Sequence, residues 1–355
     1  MNRLLIRQLW FLLSFLLASI LLAGCKPRSS QKLEFAYVAA PQATLRDRVA
    51  ALSNRVATLK NGDRVQVLER ARRFVRVRTT RNEEGWVEER YLVGPEIYEA
   101  FENLAKENAT APVQSHAVTR GALNLHLEPG RDTEHLYQLA ENEKLDVLKR
   151  ATADKPQARV LPARPPAASE KASARPAAEK SETLAIPLED WYLVRGSQKR
   201  TGWVLARMID IDLPVEVAQY AEGQRIVAYF VLNDVKDEDK PVPQYLVLFT
   251  EPKDGLPFDY NQVRIFTRNT KRHRYETAYR ERNLFGILPV TTGNQDFGKE
   301  GNLPTFTLRL KDEQGNTVER KYKLNGVMVR RVLAPGEEKQ QKLMKTGGSR
   351  SKKKR

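Results

Sequence analysis

Hydrophobic and polar positions alternate through most of this chain. Val65 and Val67, Val75 and Val77, Leu145 and Val147, and Phe306, Leu308 and Leu310 each stand two residues apart with a polar side chain between them. A period of two places one apolar row on one face, so these stretches predict half-buried strands. From Pro214 to Ala334 the pattern stays of this kind, with eight segments: "QRIVAYFVLNDV", "PQYLVLFT", "NQVRIFTR", "RYETAYR", "LFGILPV", "TFTLRLKD", "TVERKYKL" and "VMVRRVL". The turn "DEQGN" between the sixth and seventh predicts a hairpin that sets Phe306, Leu308 and Leu310 against Val318, Tyr322 and Leu324. Eight strands with short turns predict an antiparallel β-sandwich or open barrel over 214–333. In "GPEIYEAFENLAKENAT", by contrast, Ile97, Phe101 and Leu104 recur at helical spacing behind Pro95. That spacing predicts a docked connector helix within 96–112.

The N-terminal half writes one phrase twice. "GWVEER" at 85–90 and "GWVLAR" at 202–207 both read Gly-Trp-Val-x-x-Arg. Their surroundings correspond in order. A polar turn precedes an alternating strand (Val65, Val67; Leu145, Val147), then comes a strand with an aromatic start (Phe74 to Val77; Trp191 to Val194), a second polar turn and Gly-Trp-Val. Further upstream "ATLRDR" matches "ALNLHLEPG". Val67 and Trp86 are 19 residues apart, whereas Val147 and Trp203 are 56 apart, so the second copy carries 37 extra residues. Those fall at 151–187, a stretch with eleven alanines, six prolines and no aromatic residue. Such a composition buries too little apolar surface to offset its ordering entropy, which predicts a disordered insert between two strands.

The repeated elements resemble the bacterial Src-homology-3-like family of small five-to-seven-strand barrels. The resemblance covers about 35–95 and 115–212. The family's "N-V-R-x-G-P" stretch survives as Asn124 to Gly130 and is reduced to Leu45-Arg46-Asp47 in the first copy. The resemblance implies two SH3-type barrels in tandem and an exported, wall-associated role with peptidoglycan or an envelope protein as partner. Trp86 and Trp203 are candidate ligand-binding residues, as aromatic platforms for a glycan or peptide. Large aromatics usually supply buried area, and that favours packing residues that close each barrel.

The first 25 residues predict an address. Arg3 and Arg7 precede sixteen uncharged residues, Leu9 to Gly24, in the manner of a signal peptide. Leu22-Ala23-Gly24-Cys25 resembles the bacterial lipobox and contains the only cysteine of the chain. That resemblance implies cleavage after residue 24 and acylation of Cys25. The protein would then be tethered outside the cytoplasm through residues 25–34, held by two or three acyl chains where one would not suffice. Lys26 is not the aspartate that favours inner-membrane retention in proteobacterial lipoproteins, so the expectation is an outer membrane, facing the periplasm, in a Gram-negative cell.

Charge adds a second theme. Lys and Arg number 60 against 44 Asp and Glu, a net +16 that suits an anionic partner. The tail 334–355 holds eight basic and two acidic residues and ends "SRSKKKR". It predicts a disordered segment able to meet anionic lipid or polymer. "RNTKRHRYETAYRER" interleaves Arg272 and Arg274 with Tyr275 and Tyr279, a candidate site for phosphates or sulfated glycans. The plainer alternative is a solvated turn and an outward strand face. An exported address disfavours nucleic acid as partner.

An enzyme finds little support. Cysteine peptidases and transpeptidases need a Cys nucleophile beside a His, but Cys25 belongs to the lipobox. His116, His126, His135 and His273 form no metal-ligand spacing, and there is no "GxSxG". Paired carboxylates for glycan hydrolysis stay open. The expectation is a non-enzymatic envelope binding or scaffold protein with no catalytic residue, metal or cofactor. An electrostatic tether and a cryptic glycan hydrolase in the last domain are the alternatives.

Overall fold

The computed structural model describes residues 34–50, 52–156 and 187–333. The leader with Cys25, the body of the insert and the basic tail lie outside the described residues. The chain is mainly β, as expected. The first seven strands are β1 (Glu34–Val38), β2 (Gln42–Arg46), β3 (Arg55–Lys60), β4 (Arg64–Ala71), β5 (Phe74–Arg78), β6 (Glu84–Glu88) and β7 (Leu92–Val93). They form an antiparallel sheet in the order β3-β2-β6-β5-β4-β1-β7. The next seven are β8 (Ser115–Thr119), β9 (Leu123–His126), β10 (His135–Leu139), β11 (Lys144–Asp154), β12 (Leu188–Arg195), β13 (Thr201–Leu205) and β14 (Ile209–Ile211). Their order, β10-β9-β13-β12-β11-β8-β14, is the first order with seven added to every number. The register repeats as well. Val77 faces Gly85 and Val194 faces Gly202, while a bulge falls between Val67 and Glu69 and again between Val147 and Lys149.

The glycine of the repeated phrase is demanded by a crossing strand. A Cβ on Gly85 would lie 2.6 Å from the Arg46 carbonyl oxygen and 2.8 Å from Leu45 Cγ. One on Gly202 would lie 2.8 Å from Leu125 Cβ and 3.1 Å from the His126 carbonyl oxygen. β2 and β9 pass so close over β6 and β13 that only a hydrogen fits.

Packing divides the chain into two units, and the division falls inside the first repeat. In the first unit, residues 34–36, 44–58 and 64–90, the core is Ala36, Leu45, Val65, Val75, Val77 and Val87, with Arg70 bonded to Glu34 and Glu89. The second unit takes 37–43, 59–63 and the described residues from 91. There α1 (Pro95–Glu107) places Phe101, 1% exposed, in a core with Leu125, Leu136, Val147, Tyr192, Val194 and Val204, so the connector helix is docked. Asn61 stands in for a strand: its amide donates to Leu136 O (2.7 Å) and Ala39 O (2.9 Å), and its Oδ1 accepts from Gln138 N (3.2 Å).

The last eight strands form two four-stranded sheets. β15 (Arg225–Asp237), β16 (Lys240–Thr250), β17 (Gln262–Asn269) and β18 (Arg274–Glu281) run in sequence order, as do β19 (Gly286–Asp296), β20 (Asn302–Lys311), β21 (Thr317–Asn325) and β22 (Met328–Val332). They pack face to face through Leu246, Leu248, Val263 and Ile265 against Phe306, Leu308, Leu310 and Tyr322, which makes a sandwich. The other face of the first sheet buries Tyr245, Val247, Phe249 and Phe266 beneath Leu213 and Val217, the latter on the short helix α2 (Val215–Ala218). Burial on both faces explains why "QYLVLFT" reads as one continuous apolar run.

β11 and β12 stay paired as far as Asp154 and Leu188, and Lys155 N still reaches Pro187 O at 2.8 Å. The strands thus continue four residues into the stretch assigned to the insert from Ala151. Near their ends, Asp190 (side chain 3% exposed) accepts from Arg150 (2.6 Å), Arg225 (2.9 Å) and Gly255 N (3.0 Å). Arg150, 6% exposed, also donates to Asp259 and to Phe258 O, both at 3.0 Å. Its neighbour Glu189, 2% exposed, takes Arg131 in a bidentate pair at 2.5 and 2.7 Å. That bonding to Arg131 holds the Glu189 carboxyl below the usual carboxylate range despite its burial.

Three outcomes are expected. Arg150→Ala removes the buried partner of both Asp190 and Asp259, leaving Asp190 only Arg225 and the Gly255 amide, and should cost about 3–5 kcal/mol in denaturant unfolding; a loss below about 1 kcal/mol would contradict the hub. Gly202→Ala overpacks β9 against β13 and should cost about 1–3 kcal/mol by the same measurement. Because the folded Glu189 pKa is depressed, its contribution is present above the usual carboxylate range and lost as pH falls through the folded value. Glu189→Gln should therefore lower stability at neutral pH and flatten the acid limb of a Tm-against-pH curve.

Candidate ligand-binding surfaces

Strand alternation decides where the two tryptophans go. On β6 the buried positions are Gly85 and Val87; on β13 they are Thr201, Gly202 and Val204. Trp86 and Trp203 fall between them and are half-buried on the opposite face. The expectation that they close the barrels by core packing is corrected here. Valines fill those places, because the glycine beside each tryptophan has turned the core side over to the crossing strand.

Each tryptophan is flanked on its own face. Trp86 lies in register between Arg46 on β2 and Arg76 on β5. Arg46 donates to Ser53 (2.9 Å) and Arg76 pairs with Glu84 (3.0 Å). Trp203 lies between His126 on β9 and Leu193 on β12. The His126 ring is 5.6 Å from His135 and meets Trp191 edge-on at 5.2 Å. Burial, together with the nearby His135, lowers the His126 pKa, so the ring is neutral near pH 7. Thr133 Oγ1 spends its one hydrogen on Glu128 O or Gly130 O (2.9 and 2.8 Å) and can only accept from His126 Nδ1 at 3.1 Å. Nδ1 therefore carries the proton, and Nε2 is left as an acceptor. The second repeat thus offers an aromatic face beside a neutral imidazole acceptor, the first an aromatic face between two guanidinium groups. Sequence reasoning found both tryptophans but not His126, whose role depends on the β9–β13 register.

The basic and aromatic patch does not form as expected. Arg272 and Arg274 both turn onto Glu276, at 3.3 and 3.2 Å. Tyr275 is 7% exposed, donates to Pro243 O (3.1 Å) and has its phenol pushed up to about 12 by burial. Tyr279 faces the sandwich core beside Tyr322 and donates to Glu281 (2.7 Å). The two tyrosines serve cores on opposite faces of one sheet because a bulge between them, where Ile265 pairs with Tyr279 but Phe266 with Thr277, breaks the alternation, and the arginines that precede them have carboxylate partners. The interleaving seen in sequence is divided between two faces by the bulge and makes no stacking platform. Arg268 and His273 likewise share Asp237.

Among the described residues no three metal-ligating side chains gather, and no helix is long and apolar enough to cross a membrane. Two clefts stand out among the described residues. One of about 370 Å³ is lined by Arg120, Arg207, Asp210 and Arg225 with Tyr192, Ile209 and Ile226. Its arginines pair with Asp210, Glu189 and Asp190 respectively. The other, about 320 Å³, lies in the sandwich domain and has only polar side chains in its lining.

Residues 46–93 match the bacterial SH3 domain family. No curated protein matches the chain. Among solved structures, an NlpC/P60 family protein from Bacillus cereus is similar at 13% identity and a TM-score of 0.21, over 57% of this chain and 65% of that one, so the match spans less than two thirds of its length. NlpC2 from Trichomonas vaginalis is similar at 10% identity and a TM-score of 0.17, over 86% of this chain and 97% of that one. NlpC1 from the same organism gives 10% identity, a TM-score of 0.17, and coverage of 70% and 88%. Scores of this size do not establish a shared overall fold. The family match rests on the first repeat, and it contains the Gly-Trp-Val strand and its close crossing.

Proposed function

We propose that this is a non-enzymatic cell-envelope scaffold, anchored by lipid on Cys25, that recognises peptidoglycan or an envelope protein through two SH3-type repeats. The observation that carries the reading is the recurrence of one surface. In both repeats a half-buried tryptophan occupies the same register position, on the face that the glycine and valine leave free. The bacterial SH3 domain match covers one of these positions, and the identical strand order supports extending it to the other. Aromatic faces beside hydrogen-bonding groups suit the alternating apolar and polar surfaces of glycans and peptides. The lipobox-like Leu22-Ala23-Gly24-Cys25 supports an exported protein held at a membrane, in a Gram-negative cell the outer membrane facing the periplasm. With its only thiol committed to lipid, the chain has no cysteine nucleophile to offer.

The test is co-sedimentation of protein comprising residues 26–333 with purified peptidoglycan, at low and high salt. Trp203→Ala should weaken binding by about tenfold, the scale of one hot-spot contact, and leave Tm within a few degrees. Trp86→Ala should add to that loss. Pelleting that both variants leave unchanged would remove the tryptophan faces from recognition. Failure of the parent protein to pellet at either salt would remove peptidoglycan as the ligand.

A further inference from the structure

The polar cleft of the sandwich domain contains an arginine in an unusual place. Arg264 lies mid-strand on β17 between Val263 and Ile265, both fully buried, and is itself 1% exposed. Its guanidinium stands over the Phe249 ring at 4.9 Å. It donates to Tyr220 O (2.7 Å), Glu222 (3.0 Å) and Gln224 Oε1 (3.2 Å). Three bonds leave two of its five N–H groups unaccounted for, and Nε is buried without a partner. Its one carboxylate partner is 55% exposed and is shared with Arg280 at 3.5 Å. A buried charge so weakly compensated is costly to the fold, and desolvation with Arg280 and Arg282 nearby lowers the Arg264 pKa.

The cleft around it is ordered by hydrogen-bond logic. Arg282 can only donate, so Gln262 meets it with Oε1 (2.9 Å) and offers its amide to Gln224 Oε1 at 2.8 Å. Gln224 Oε1 also accepts from Arg264, which again can only donate. The arginines at both ends therefore set both amide orientations, and the Gln224 amide group is left as a donor. The Nη groups of Arg282 have no protein acceptor among the described residues. The lining holds two arginines and one glutamate with Gln224, Asn261, Gln262 and Asn283, an excess of one positive charge and of donors over acceptors.

We propose that this cleft binds a monoanionic, carboxylate-bearing ligand, with Arg282 and Gln224 taking the carboxylate and Arg264 as the charged floor. A single excess charge balances a carboxylate, whereas a phosphate dianion would leave one negative charge uncompensated. The volume suits a group of sugar or amino-acid size. The site is separate from both tryptophan faces, so it stands or falls independently of them.

The arginine Nε–H signals of Arg264 and Arg282 provide the readout, in two-dimensional NMR of the protein without its leader. Glucuronate and N-acetylalanine supply a carboxylate from a sugar acid and from a peptide terminus; glucose and inorganic phosphate are the comparison ligands. Saturable shifts with at least one carboxylate are expected, with little response to glucose and weaker binding of phosphate. Whichever carboxylate binds more tightly names the source. Arg282→Gln and Gln224→Ala should each weaken that binding about tenfold with Tm retained; these two are chosen because Arg264→Ala removes a buried strand residue. No saturable shift, phosphate binding as tightly as the carboxylates, or full binding in both variants would overturn the assignment.

Discussion

The buried pair of Arg150 and Asp190 is the constraint on which much of the second unit depends. Taking two charges out of water costs several kcal/mol per ion, and attraction compensates only where the remaining donors and acceptors are satisfied. Here they are: Asp190 also holds Arg225 and the Gly255 amide, while Arg150 holds Asp259 and two carbonyl oxygens of the 256–258 loop. Asp259 in turn accepts from Leu288 N at 2.7 Å. One ion pair on the β11–β12 hairpin thereby fixes a loop of the sandwich domain and the start of β15. Gln114 works toward the same end, its buried side-chain oxygen accepting from Val290 N at 2.7 Å. Strand alternation sends the preceding acid, Glu189, to the other face, where Arg131 and Arg207 neutralise it. Two consecutive buried carboxylates are tolerated because each face brings its own arginines. The hub also lies near the base of the insert, so the paired strands are locked a few residues before the alanine- and proline-rich stretch begins.

The same alternation explains how the two repeats can share a fold and differ in surface. The glycine is set by a backbone crossing, which any side chain would obstruct, and the valine by the core. Neither leaves room for variation. The tryptophan position looks outward, and what flanks it comes from other strands: arginines in the first repeat, histidine and leucine in the second. A repeated phrase in the sequence therefore marks a repeated steric requirement, while the chemistry beside it has diverged.

Most of the β architecture was legible because apolar periodicity of two is imposed by burial on one face. The eight C-terminal strands, the "DEQGN" hairpin and the docked helix through Phe101 all follow from local pattern. The continuous run in β16 was legible as a strand but not as one buried on both faces, since that depends on α2 lying beneath it. The candidate sites fared less well. Arg272, Arg274, Tyr275 and Tyr279 look like a basic aromatic surface when written in a line, yet a strand sends Tyr275 into a core and Glu276 brings both arginines together. The polar cleft was invisible, because Glu222, Gln224, Gln262, Arg264 and Arg282 converge only through the pairing of β15, β16, β17 and β18. Arg264 alone carried a local signal: a charged residue set among the apolar Val263, Ile265 and Phe266.

These placements revise what the large positive charge means. Arg268, Arg272, Arg274 and Arg280 each meet a carboxylate, but Arg272 and Arg274 share Glu276 and Glu222 is shared with Arg264, so the folded β18 region keeps a small positive excess whose field physiological salt screens over ~8 Å. Charge that is already paired does not distinguish one anion from another. A cation enclosed with directed donors does, because water and salt are kept from it and its geometry selects the shape of the anion. Recognition in this fold is thus expected to reside in enclosed or aromatic positions, the cleft above Arg264 and the faces of Trp86 and Trp203, and the abundance of arginine on the strands is largely structural.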